Sequence, residues 1–154
     1  KKLKKTELIE FDLTQDNILR NRKFNLITAF RFFLNAEPEL RKEVMQLLAS
    51  LLDRDGCLVF NNHRNRTSPL IWLRYIHRHK IKRENVNFMT ISETRKLAKE
   101  AGLEIIRIYP VGLLPLPLVK PPKELSHYID DLAMKFTFAG IFSESPIIVC
   151  RHLR

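Results

Sequence analysis

Three stretches of the chain place chemistry-capable side chains directly after apolar runs. Asp12 follows "ELIEF", Arg31 follows "FNLITAF", and Asn61, Asn62 and His63 follow "CLVF". An imidazole so placed can take a proton from a hydroxyl or carboxyl acceptor near neutral pH, which makes His63 the candidate catalytic base. The other reading of His63 is a loop histidine bonded to backbone. Arg31 offers a planar, permanently charged fork that fits an anionic group; the alternative is a structural pair with an acid on the next helix, such as Glu37. Asp12 either accepts hydrogen bonds from a ligand or caps a turn. His77 and His79 lie two apart on a predicted helix and face different directions, so no metal pair is expected there.

These groups can act together only if the runs before them are strands that end at one edge. "ELIEF" alternates as a short strand, and "FNLITAF" is so continuously apolar that it is expected inside a parallel sheet covered on both faces. Pro38 then suits a first helical turn, and Leu40, Val44, Leu47, Leu48, Leu51 and Leu52 recur as one apolar stripe. "DRDG" is expected to end that helix with a turn at Gly56, before the buried strand Cys57 to Phe60. Ser68-Pro69 can open a further helix, and Thr90 and Glu93 form a capping box before a helix ending at Gly102. A strand from Leu103 to Val111, a proline-rich loop, an amphipathic helix through Leu125, Tyr128, Ile129, Leu132 and Phe136, and a strand from Pro146 to Cys150 complete the chain. Strands alternating with helices of this length imply one α/β domain over residues 1–154 with a mainly parallel sheet. In such sheets ligands bind beyond the carboxyl ends of the strands.

Composition narrows the class further. With 154 residues, 45% of them hydrophobic, the chain can bury a real core, and no apolar run approaches the length of a membrane span. The first residues lack the apolar centre of a secretory signal. Cys57 and Cys150 read as reduced, buried thiols of a cytoplasmic protein. A net charge of +10 favours anionic partners. Arg74 to Arg83, near Trp72 and Tyr75, is the stretch most suited to nucleic acid or an anionic surface, or else a solvated helix face.

The order of segments resembles the later part of a Rossmann-like (class I) S-adenosylmethionine-dependent methyltransferase. "IEFDLTQDNILRNRKFNLITAF" looks like the third strand of that family, its acidic residue and its fourth strand. "LLASLLDRDGCLVF" looks like the helix, turn and fifth strand, "MTISETRKLAKEAGLEIIRIYPVG" like the next helix and strand, and "SESPIIVCRH" like the closing strand. Three features depart from the family pattern: one glycine stands in "DRDG" where two are usual, "FN" replaces "FD", and no glycine occurs in the first fifty-five residues. The glycine-rich loop and first two strands are expected in sequence preceding Lys1; the alternatives are that another chain supplies them or that the domain has lost them.

The resemblance implies methyl transfer to a small-molecule or lipid-like acceptor with S-adenosyl-L-methionine as cofactor. It implies that Asp12 accepts from the adenine amino group, that Leu13 packs on the ring, and that Ala29 and Phe30 lie against the methionyl part. It places Arg31, Phe32, Asn62 and His63 at the acceptor. The competing expectation from charge alone is a non-catalytic basic α/β module.

Overall fold

The computed structural model describes residues 9, 19, 21–71, 87–113, 122–136 and 138–153. Its elements run β1 (Phe24–Ala29), α1 (Phe32–Asn35), α2 (Pro38–Leu51), β2 (Leu52–Asn61), α3 (Ile91–Glu100), β3 (Leu103–Tyr109), α4 (Lys123–Ala133), α5 (Ala139–Phe142) and β4 (Ile147–His152). The four strands form one sheet in the order β1-β2-β4-β3. β1 pairs parallel to β2, whereas β4 runs antiparallel to both β2 and β3. β1, β2 and β3 therefore share a direction, but β4 runs against both of its neighbours, so two of the three pairings are antiparallel and the sheet of the described residues is mixed where a mainly parallel one was expected. The carboxyl ends of those three strands and the start of β4 meet at one edge.

The core forms where α2 and α3 lie on the sheet. Val44 and Leu48 of the stripe read from the sequence, with Met45, which that stripe leaves out, pack against Leu58 and Phe60 of β2, Ile91 and Ala98 of α3, and Ile148 and Cys150 of β4, while Leu47 is only half-buried. Phe33 is fully buried, with ring centroids 5.0 Å from Phe60 and 5.2 Å from Phe32. Arg41, buried on the same helix, donates to the Asn87 carbonyl before α3. Burial pushes its pKa down, and the Glu93 carboxylate opposes that shift. α3 starts with the expected capping box: Thr90 Oγ1 accepts from Glu93 N–H at 3.1 Å, and the Glu93 carboxylate accepts from Thr90 N–H at 2.7 Å. Gly102, at φ 77°, takes the left-handed turn after the helix.

Four further expectations change. β1 is an edge strand, with Leu26 60% exposed, because among the described residues only β2 lies beside it. Gly56 makes no turn; α2 passes directly into β2, and Gly56 lies inside that strand, where a Cβ would stand 2.8 Å from the Phe24 carbonyl oxygen. Most of the apolar face of α4 stays outside the core: Leu125, Tyr128 and Leu132 are exposed, as is Phe136 beyond the helix end, while Ile129 is half-buried and only Ala133 is buried. β3 stops at Tyr109, and β4 starts at Ile147 and continues to His152. Ser68 caps a helical start as expected, its Oγ accepting from Leu70 N–H at 3.3 Å. Apart from Ile9, the strand expected at Glu7 to Phe11 lies outside the described residues, as does the helix beyond residue 71.

Candidate functional site at the strand ends

β1 ends by leaving regular structure at Arg31, whose φ of 59° and ψ of 9° are left-handed. That conformation costs a non-glycine residue about 1–2 kcal/mol. Two asparagines hold it. Arg31 N–H donates to Asn61 Oδ1 at 2.7 Å, and Arg31 C=O accepts from Asn35 Nδ2 at 3.2 Å. Hydrogen bonds worth about 0.5–1.5 kcal/mol each suffice to offset the backbone cost. The Arg31 side chain itself is exposed, and among the described residues it makes no ion pair with Glu37.

Asn61, the last residue of β2, is 8% exposed and bonds in two directions. A backbone N–H can only donate, so the Asn61 atom facing Arg31 is the oxygen. The amide nitrogen then faces Ser145, donating to its Oγ at 3.2 Å. The same Ser145 Oγ lies 3.1 Å from His63 Nδ1. One chain of polar contacts thus joins the end of β1, the end of β2, the first loop residues after it and the residue two before β4.

Asn62 and His63 differ in burial. Asn62 is 2% exposed; its Nδ2 donates to the Met89 carbonyl at 3.0 Å and its N–H to the Pro146 carbonyl at 3.1 Å. A side chain so enclosed is committed to the backbone of the loop before α3. His63 is half-buried. Ala29 is half-buried on the core side of β1, paired in register with Phe60, whereas Phe30 is 53% exposed on the open side. Phe32 packs edge-on against Phe33 and is half-buried. Asp12 and Leu13 lie outside the described residues, as does Arg74 to Arg83.

Two residues of this edge escape sequence reasoning. Ser145 lies in "SESPIIVCRH", where nothing marks its hydroxyl for the strand-end edge. Asn65, fully buried, donates to the carbonyls of Ile141 at 2.7 Å and Ser143 at 3.0 Å and accepts from Thr67 N–H at 3.1 Å, so it pins the segment carrying Ser145 to the loop carrying His63. Only the density of asparagines in "NNHRN" signals it. Among the described residues no group of three or more His, Cys, Asp or Glu could hold a metal ion.

No protein-family model matches the chain, and no curated protein matches it. Solved structures do. The mitomycin 7-O-methyltransferase MmcR overlays 96% of this chain on 34% of its own, with 10% identity and a TM-score of 0.58. Magnesium protoporphyrin IX methyltransferase from Synechocystis PCC 6803, with bound S-adenosylhomocysteine, overlays 93% of this chain on 49% of its own, at 14% identity and a TM-score of 0.57. NcsB1, an O-methyltransferase of neocarzinostatin biosynthesis solved with S-adenosylhomocysteine and 1,4-dihydroxy-2-naphthoic acid, overlays 86% on 30%, at 10% identity and a TM-score of 0.50. The fold is therefore the Rossmann-like α/β fold of S-adenosylmethionine-dependent methyltransferases. The chain spans between about a third and a half of the length of these structures.

Proposed function

We propose that the protein carries out S-adenosylmethionine-dependent methyl transfer to a small-molecule or lipid-like acceptor, at the carboxyl edge of β1 and β2. The observation that carries this reading is the joining of Arg31, Asn61 and His63 at one strand-end edge of this fold. The cofactor supplies a methyl group on a sulfonium, whose leaving group is already activated. What remains for the protein is mainly orientation, worth about 7–11 kcal/mol in favourable systems.

The residues present fit that task in part. Phe30 offers exposed apolar surface where the sulfonium end would lie, beside half-buried Ala29. Asp12 and Leu13 take the adenine in this reading. Arg31 holds an anionic group of the acceptor, Phe32 borders it, and His63 takes the proton of a hydroxyl. The hydroxylated aromatic acid bound to NcsB1 supports an acceptor of this kind. Among the described residues only β2 pairs with β1, which leaves the other edge of β1 free to take further strands, residues 1–154 being the later part of one domain in this reading. No helix among the described residues is long and apolar enough to cross a membrane. Two free cysteines suit a reducing, cytoplasmic compartment.

Calorimetric titration of S-adenosylhomocysteine into the full gene product tests the reading. Saturable binding that Asp12→Ala weakens is expected. Affinity unchanged by Asp12→Ala removes the adenine assignment, and no binding at all overturns the methyltransferase reading.

A further inference from the structure

We infer that Asn61 is a positioning residue of the candidate site: its side chain holds Arg31 in the left-handed conformation that ends β1 and, through Ser145, fixes that strand end relative to His63. Three observations carry this. Arg31 occupies a backbone region that its side chain disfavours, at φ 59°. Its N–H is met at 2.7 Å by a side chain from the neighbouring strand, thirty positions later. The other end of that side chain reaches Ser145 Oγ, which itself contacts His63 Nδ1.

The chemistry follows from donors and acceptors. With Asn61 Oδ1 committed to Arg31, Nδ2 must donate to Ser145, which takes one acceptor site of that hydroxyl. Ser145 is left to meet His63 Nδ1 as donor or acceptor, so the state of Asn61 is felt at the imidazole. A residue with this pair of contacts sets where the acceptor-facing guanidinium leaves the backbone and how the imidazole is held. The geometric part stands by itself; only its consequence for an anionic acceptor rests on the methyltransferase reading.

Amide exchange and imidazole nitrogen signals, read by NMR on the full gene product, test it. The parent should protect the Arg31 amide. Asn61→Leu should speed exchange there about tenfold, the effect of losing one hydrogen bond, while Ile27 in the middle of β1 keeps its rate. Asn61→Asp, which retains an acceptor oxygen, should restore protection at Arg31. Asn61→Leu should also shift the His63 ring nitrogens in the direction that Ser145→Ala does. An unprotected Arg31 amide in the parent, or His63 signals blind to Asn61→Leu, overturns the inference. Should Asn61→Leu fail to fold, adding Arg31→Gly should restore folding, because glycine takes a positive φ unaided; a double variant that still fails overturns it as well. Binding of S-adenosylhomocysteine is measured on the same parent sample. Its absence sinks the methyltransferase reading and leaves the exchange result standing.

Discussion

Arg31 N–H and Asn61 Oδ1 meet at 2.7 Å across the ends of two parallel strands, and the contact keeps an arginine in a backbone conformation suited to glycine. The residue type at position 31 should therefore reveal the strain. Arg31→Gly should leave stability within about 1 kcal/mol of the parent, while Arg31→Val, β-branched at a positive φ, should lose about 1–3 kcal/mol. Urea unfolding of both variants measures the difference.

The Thr90–Glu93 capping box supplies a pH-dependent contribution. Hydrogen bonding from the Thr90 backbone, with help from its hydroxyl and from Arg66 and Arg41, holds the Glu93 carboxyl below its ordinary value, against a smaller opposing effect of burial. A carboxyl with a lowered folded pKa stabilises the fold above its unfolded pKa, and that stability fades as pH falls through the folded one. Thr90→Ala should cost about 1 kcal/mol at pH 7. Glu93→Gln should lower the melting temperature at neutral pH and converge on the parent as the pH falls well below the carboxylate range.

Cys150 should act at the other end of the pH scale. Burial, with a smaller effect from Cys57, pushes its thiol from 9.0 up to about 12. Between those values the unfolded chain gives up the proton and the folded chain keeps it, so stability should fall as pH rises through that window. Cys150→Ala should flatten the alkaline slope of unfolding stability, whatever it costs at pH 7. An unchanged slope would show that this thiol does not carry it.

Much of the fold was legible because its signals are local. The leucine stripe of α2, Thr90 and Glu93 three apart, and the apolar strands followed by polar residues all report on neighbours within a turn or two. What escaped depends on partners far along the chain. Gly56 reads as a turn from its neighbours, yet the reason for it is the Phe24 carbonyl on the adjacent strand. "FNLITAF" is apolar enough for a central strand, and only the sheet order shows it at an edge. At the candidate site, Arg31 and His63 stood out by type and place. The left-handed backbone of Arg31 and the part played by Ser145 did not, since Asn61 bonds residues thirty positions before it and eighty-four after it. Asn62 looked as available as His63 in sequence, and burial alone separates them.

The most direct test of the central claim is to map S-adenosylhomocysteine onto the full gene product by amide chemical shifts. The largest shifts should fall at Ala29, Phe30 and Arg31 and extend to His63 at the strand-end edge. Shifts confined to the opposite edge, around Gly102 and Leu153, or no shifts at saturating ligand, would contradict the account.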